Sequence, residues 1–146
     1  MKILIDTNVA LDVLLKRYPF FQDSFVIFQL TDSGIVNGTL AAVSMTNIFY
    51  LLRKAKKNYN EAYDLVDELA TVFTIATVNE STITHALKLR WNDFEDAVQY
   101  IAAKENNIDY IITRNESDFR NADIPCMSPT DFIAFLKKKE VIDQSM

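Results

Sequence analysis

The chain has 146 residues, a length typical of one domain, with 49% hydrophobic and 24% charged residues. This balance is that of a folded globular protein and excludes a wholly disordered chain. Two glycines and one cysteine exclude a glycine-rich phosphate loop, an internal disulfide framework and a cysteine-based zinc site. The net charge of −5 argues against coating nucleic acid through basic residues, but it allows carboxylates gathered around a metal ion.

The start of the chain and its apolar runs bear on where the protein acts. The first residues, MKILIDTN, turn acidic and polar after a short apolar run, so they lack the hydrophobic region of a secretion signal. No apolar run approaches the roughly 18 residues that a membrane-spanning helix needs. We therefore expect a cytoplasmic protein without membrane contact.

Apolar strand patterns alternate along the chain with patterns typical of amphipathic helices. The predicted elements, in chain order, are a strand at 2–5, helices at 9–15 and 20–30, a strand at 39–43, helices at 44–57 and 61–69, a strand at 72–75, helices at 80–89 and 94–105, a strand at 110–112, an extended segment at 125–127 and a helix at 129–136. Thr7 or Asn8 is expected to cap the first helix and Ser44 the third. The alternation predicts a single-domain α/β fold in three α/β/α layers with a central parallel sheet. We expect this domain to cover residues 1–138, followed by a frayed tail at 139–146.

Polar side chains follow two of the predicted strands. Asp6 comes directly after the first strand, and Asn115 and Asp118 follow the strand at 110–112. Asp96 lies on the helix that leads into this second strand, beside alanines that allow close approach to the sheet. Because ligands bind beyond the carboxyl ends of parallel strands, we expect Asp6, Asp96 and Asp118 to meet there. Carboxylate oxygens suit Mg²⁺ or Mn²⁺, and such ions can activate water toward a phosphodiester.

Each of these acids also has an ordinary structural explanation. Asp6 can cap the helix that follows it, and Asp96 suits the solvated first turn of its helix. Asp118 can be a turn residue that bonds its own backbone. Asp12 is expected on the surface of the first helix, and lining the site is its less favoured alternative. Three acids at one sheet edge nevertheless favour the metal site.

Three blocks of sequence together resemble the PIN-domain nucleases: ILIDTNVALDVLL at 3–15, DFEDAVQYIAA at 93–103 and IDYIITRNESDF at 108–119. The resemblance extends from residue 2 to about residue 136, and the branch that looks most similar holds the toxin-like VapC ribonucleases of toxin–antitoxin pairs. It implies a metal-dependent ribonuclease with Asp6 and Asp96 as ligands and with Asn115 or Asp118 in the fourth acidic motif. It also implies an RNA substrate, bound Mg²⁺ or Mn²⁺ and an antitoxin protein as partner.

One position departs from the family pattern. The second acid of the family, usually a glutamate, would lie early in the helix after the second strand, where this chain has Asn47. An asparagine keeps an oxygen ligand but lacks the negative charge, so we expect a weaker metal site. Asp93 and Glu95 flank the third motif closely enough to compensate, although a solvated helix start is the expected role of both.

Neighbouring polar residues are candidates for supporting roles. The resemblance suggests that Thr7, Asn8 and Thr113 orient the carboxylates, with caps and turns as the alternative explanation. Arg114 would contact a phosphate or, as we favour for the free protein, pair with a nearby acid. A basic cluster at the end of helix 44–57 is a candidate RNA contact, and a solvated helix end is its simpler explanation. It consists of Arg53, Lys54, Lys56 and Lys57.

The sequence leaves oligomeric state and activity open to rival hypotheses. The phenylalanine-rich stretch at 20–28 is expected in the core and partly at a dimer face, which predicts a homodimer. One rival to the ribonuclease is a PIN-like module that binds nucleic acid or protein after losing its nuclease activity. Another is an α/β enzyme that uses Asp6 as a nucleophile toward phosphoryl groups. The second rival is less favoured because no lysine accompanies the acids within the block at 108–119.

Overall fold

The computed structural model describes residues 1–146, and it is built around a five-stranded sheet in which every pairing is parallel. The strand order is β3-β2-β1-β4-β5. The strands are β1 (Lys2–Ile5), β2 (Asn37–Ala41), β3 (Thr74–Ala76), β4 (Tyr110–Ile112) and β5 (Cys126–Met127). The central parallel sheet of the predicted α/β fold is therefore confirmed.

Seven helices connect and cover these strands. They are α1 (Thr7–Leu14), α2 (Phe21–Asp32), α3 (Ala42–Lys54), α4 (Tyr59–Val72), α5 (Glu80–Leu89), α6 (Phe94–Glu105) and α7 (Pro129–Lys138). A short 3₁₀ turn at Glu116–Phe119 follows β4. None of the helices is long and apolar enough to span a bilayer.

The buried central strand β1 separates two hydrophobic cores. Side chains alternate between the faces of a strand, so Ile3 and Ile5 enter one core and Leu4 enters the other. The larger core is completed by α1, α2, α3, α4 and α7, and the smaller one by α5 and α6. Helices thus cover both faces, as expected for an all-parallel sheet.

The prediction that Ser44 caps the third helix is wrong. Strand β2 ends at Ala41, and α3 begins at Ala42, two residues earlier than predicted. Ser44 is buried inside the first turn, where its hydroxyl lies in hydrogen-bond contact with Thr7 Oγ1 at 2.9 Å. The small, apolar residues at 41–43 fit either a strand or a helix, so only packing against α1 locates the boundary.

The C-terminal residues differ from the sequence-based picture, and the phenylalanine-rich stretch is only partly buried. The sequence predicts fraying after residue 138, yet Ile142 is buried in the larger core, which therefore extends beyond α7. In the phenylalanine-rich stretch, Phe20 and Phe25 remain 43% and 41% exposed, and the buried contacts come from Ile27 and Leu30.

Candidate metal centre

Asp6 lies where the two central strands end side by side. Ile5 pairs with Ile112, and the backbone N–H of Asp6 extends the ladder by donating to the Ile112 carbonyl at 2.9 Å. The Asp6 carboxylate is buried and accepts hydrogen bonds from Thr113 Oγ1 at 2.9 Å and Gln99 Nε2 at 3.2 Å. These two donors fix the orientation of the carboxylate at the sheet edge.

Asp96 reaches the same edge from the first turn of α6. Asp93 caps this helix by accepting the backbone N–H of Asp96 at 3.0 Å. Small, fully buried residues on α6, including Ala102 and Ala103, let the helix lie close to the sheet. As a result Asp96 is only 7% exposed, and it faces Asp6 across a short gap.

Glu95 belongs to this site, and its expected role as a solvated helix start is wrong. One carboxylate oxygen from each of Asp6, Glu95 and Asp96 forms a group in which all lie within 4.8 Å of one another. Glu95 accepts hydrogen bonds from Thr7 Oγ1 at 2.9 Å and from the side-chain amide of Asn47. A carboxylate from α6 therefore lies against the asparagine that replaces the expected glutamate on α3.

Asn8, Asn115 and Asp118 line the same cleft, which has a volume of about 200 Å³. Asp118 is exposed on the 3₁₀ turn and lies outside the close group of three carboxylates, although its charge acts on Asp6 and Asp96. The backbone N–H of Asn115 donates to Thr113 Oγ1, which holds the turn against the sheet edge.

The carboxylates of the cleft lack a cationic partner. No lysine or arginine forms an ion pair with Asp6, Glu95 or Asp96. Burial, followed by the charges of Asp6 and its neighbours, raises the pKa of Asp96 to about 8. Burial also raises the pKa of Asp6 and of Glu95, although hydrogen bonds to both carboxylates oppose the shift.

Crowded, unpaired carboxylates fit a hard divalent cation, because such an ion supplies the missing positive charge and prefers oxygen ligands. A second feature points the same way. Gln99 is fully buried and donates to both Asp6 and Glu95, while its own Oε1 has no hydrogen-bond partner. The donor set present here therefore suits Mg²⁺ or Mn²⁺.

Arg114 is held away from the cleft by an ion pair. Its guanidinium donates to Asp12 at 2.7 and 3.3 Å and lies 4.2 Å from the centre of the Phe20 ring. The expectation that Asp12 lies on the surface is wrong, since it is fully buried and also pairs with Arg17 at 3.0 Å. The preference for an ion pair over a phosphate contact in the free protein agrees with this geometry.

The basic cluster at the end of α3 lies outside the cleft. Leu51 lines the cleft from the same helix, but the four basic residues beyond it do not. Arg53 instead lies 5.8 Å from the centre of the Tyr59 ring. The cluster consists of Arg53, Lys54, Lys56 and Lys57, of which only Lys57 is half-buried.

The sequence matches a known protein family and a described relative. Residues 2–117 match the model of the PIN domain. The chain is similar to a protein described as ribonuclease VapC1 of Aquifex aeolicus, with 22% identity covering 90% of this chain and 92% of that protein.

Solved structures share the fold at low identity. A chain of VapBC2 from Rickettsia felis, bound to a DNA fragment from its promoter, superimposes with a TM-score of 0.69 at 14% identity, covering 88% of this chain and 98% of that one. A chain of VapBC-1 from nontypeable Haemophilus influenzae gives a TM-score of 0.68 at 18% identity, covering 89% and 99%.

Proposed function

Because the chain belongs to the PIN-domain family, we propose that it is a metal-dependent endoribonuclease that hydrolyses RNA phosphodiesters. In this proposal Mg²⁺ or Mn²⁺ is held by Asp6 and Asp96, with Asp118 completing the site directly or through water. The observation that carries the proposal is the group of three uncompensated carboxylates at the carboxyl edge of the sheet. The Aquifex aeolicus relative is described as a ribonuclease, which supports the choice of substrate.

The residues around the cleft each have a defined task in this scheme. A bound divalent ion would supply Lewis acidity toward a phosphate oxygen and a water of lowered pKa. Thr113 and Gln99 orient Asp6, while Thr7 and Asn47 orient Glu95. Such orienting hydrogen bonds keep the carboxylate oxygens directed at one point, which a metal site requires.

Glu95 provides the charge that Asn47 lacks. The hydrogen bond between Asn47 and Glu95 keeps one carboxylate between α3 and α6. The family pattern predicts this acid on α3, whereas here Glu95 supplies it from α6. We therefore assign Glu95 to the metal site together with Asp6 and Asp96, and Asn47 to holding Glu95 in place. Asn8 and Asn115 add neutral amide groups to the cleft wall.

The test is hydrolysis of a generic RNA by the wild type and by Asp96→Asn, each with Mg²⁺, with Mn²⁺ and with a chelator. We expect activity only in the wild type with a divalent ion. Asp64→Asn is the matched control, because Asp64 is exposed on α4 and makes no side-chain hydrogen bond or ion pair. Equal hydrolysis by the wild type and Asp96→Asn would contradict the proposal.

A second candidate is a PIN-like module that binds RNA or protein without cutting, and the neutral Asn47 favours it. This module would bind RNA with the same affinity in Mg²⁺ and in a chelator. The carboxylate of Glu95 beside Asn47 favours the nuclease instead. Calorimetric titration with Mn²⁺ separates the two hypotheses, since only the nuclease requires a bound ion.

We further propose that the protein is the toxin of a toxin–antitoxin pair and acts in the cytoplasm as a homodimer. Similarity to chains from the VapBC assemblies supports an antitoxin partner, which would insert a basic side chain into the acidic cleft. Growth arrest on expression, relieved by a neighbouring small reading frame, tests the pairing. The exposed rings of Phe20 and Phe25 suit a dimer face, and light scattering in solution tests that.

A further inference from the structure

A second and larger cavity opens directly beside the acidic cleft. It has a volume of about 590 Å³ and shares Asp93, Asp96 and Asp118 with the cleft. A linear polymer with one of its phosphates at the carboxylates therefore has a continuous path into this cavity. We call it the Arg90–Arg120 groove, because these two arginines contribute to its lining.

Aromatic contacts anchor the two chain segments that carry Arg90 and Arg120. Arg90 ends α5 in a left-handed conformation with φ of 54°, next to Trp91. The indole of Trp91 stacks on Tyr100, with ring centres 5.1 Å apart, and packs nearly perpendicular to Phe119, with ring centres 6.0 Å apart. Phe119 is 2% exposed and anchors the turn that precedes Arg120. Arg90 and Arg120 thus each directly adjoin a member of one aromatic cluster, Trp91 or Phe119.

The two arginines and two asparagines of the groove have side chains that are free to bind a ligand. Neither guanidinium, of Arg90 or Arg120, forms an ion pair or a side-chain hydrogen bond within the chain. The side-chain amides of Asn92 and Asn121, which also line the groove, are equally unpartnered. By contrast, Arg114 beside the cleft is already occupied by Asp12.

A guanidinium binds a phosphate through two parallel hydrogen bonds and keeps its charge at any working pH. The volume of the groove falls within the range of small-ligand sites, which suits one or two nucleotides of a single strand and not a duplex. Such contacts with phosphates position the strand without reading its bases. In a protein with a net charge of −5, two free arginines beside the carboxylates are a localised attraction for an anionic strand.

We propose that the Arg90–Arg120 groove binds the segment of single-stranded RNA next to the scissile phosphate, with each arginine contacting one backbone phosphate. The inference rests on the proposed ribonuclease function and adds the path of the substrate. It also locates the main RNA contacts away from the basic end of α3, which does not adjoin the cleft.

The test measures how the affinity for a labelled RNA single strand of about 12 nucleotides depends on salt between about 50 and 200 mM. Binding is followed by fluorescence anisotropy with Ca²⁺ in place of Mg²⁺. Each phosphate contact contributes about 0.7 to the slope of log affinity against log salt for a single strand. Arg90→Gln and Arg120→Gln should each make this negative slope shallower by about 0.7, and the double variant should make it shallower by about 1.4.

Two control proteins give the experiment its specificity. The double variant Arg90→Lys with Arg120→Lys keeps both charges and should keep the wild-type slope. The double variant Arg53→Gln with Lys54→Gln removes the same charge from the end of α3 and should also keep it. Arg90 and Arg120 are both exposed, so thermal unfolding of the variants at these two positions should match that of the wild type.

The outcomes separate the groove from the nuclease activity. If the wild type cuts RNA and the glutamine variants keep its salt-dependence slope, RNA binding by the groove is refuted and the proposed nuclease activity is supported. A wild type that binds without cutting, with the expected loss of slope in the variants, supports the groove and refutes the nuclease. Loss of slope only in the Arg53→Gln with Lys54→Gln variant overturns the groove. A wild type that neither binds nor cuts RNA overturns both.

Discussion

Replacing Asp96 with asparagine should stabilise the metal-free protein strongly at pH 8 and much less at pH 5. Asp96 is 7% exposed and faces other carboxylates with no cation paired to it. These surroundings raise its pKa from 3.8 to about 8 in the folded protein. The folded state therefore keeps a proton that the unfolded chain releases near pH 4.

The sign and size of the effect follow from proton linkage. Between about pH 4 and pH 8 the folded state binds more protons, so the free energy of unfolding falls by about 1.4 kcal/mol per pH unit. The whole interval corresponds to an upper limit of about 5–6 kcal/mol. The cleft is open to counter-ions and its side chains can reorient, so we expect about 2–3 kcal/mol. The asparagine side chain of the Asp96→Asn variant carries no titrating proton, so the variant escapes this loss.

Urea unfolding and calorimetry in a chelator, at pH 5 and pH 8, measure the difference. Asp96→Asn should unfold about 6–9 °C above the wild type at pH 8, since 1 kcal/mol corresponds to about 3 °C at this chain length. Excess Mn²⁺ should stabilise the wild type and not the variant. Asp64→Asn is the control and should shift neither profile. A wild type whose stability is flat from pH 5 to pH 8 would refute the reasoning.

Three further changes test other parts of the structure. Asp12→Ala should lower the free energy of unfolding by about 3–5 kcal/mol in urea, because it leaves two arginines without their buried partner. Glu95→Gln should weaken Mn²⁺ binding at least tenfold by calorimetry, and adding Asn47→Glu should restore it by returning the charge. Gly38→Ala should cost about 1–3 kcal/mol, since its Cβ would lie 2.6 Å from Thr31 side-chain atoms.

Each of these predictions has a result that contradicts it. Wild-type stability of Asp12→Ala would mean that the buried ion pairs contribute nothing. Unchanged Mn²⁺ affinity of Glu95→Gln would remove that residue from the metal site, and failure of the Asn47→Glu exchange would show that the position on α3 cannot substitute for it. A Gly38→Ala variant as stable as the wild type would mean that Thr31 moves aside freely.

Much of the fold is readable from local chemistry. The bounds predicted for α5, α6 and β4 are those observed, because Asn79 and Asp93 cap the two helices and β4 is an uninterrupted apolar run. The PIN-domain resemblance is confirmed by the family match over residues 2–117. Asp6 and Asp96 could be located as candidates because parallel strands direct their carboxyl ends to one edge, and the structure brings the two together.

Glu95 could not be assigned by the same means. Successive side chains on a helix, such as those of residues 95 and 96, point about 100° apart. If helical periodicity places Asp96 in the cleft, it therefore predicts that Glu95 faces solvent. The position of Glu95 depends on Thr7 and Asn47, which lie 88 and 48 residues away in the chain. Only the approach of α1 and α3 to α6 brings these donors within reach.

Asp12, like Glu95, has a position that the sequence could not predict. The sequence by itself determined the alternating elements, the all-parallel sheet and the edge at which the acids gather, because these depend on short-range patterns of apolar and capping residues. The tertiary structure alone decided that Asp12 is buried against Arg114, 102 residues away, and that Glu95 joins Asp6 and Asp96 in the acidic cluster. Burial and pairing of charges depend on distances between distant segments, and no local pattern encodes those distances.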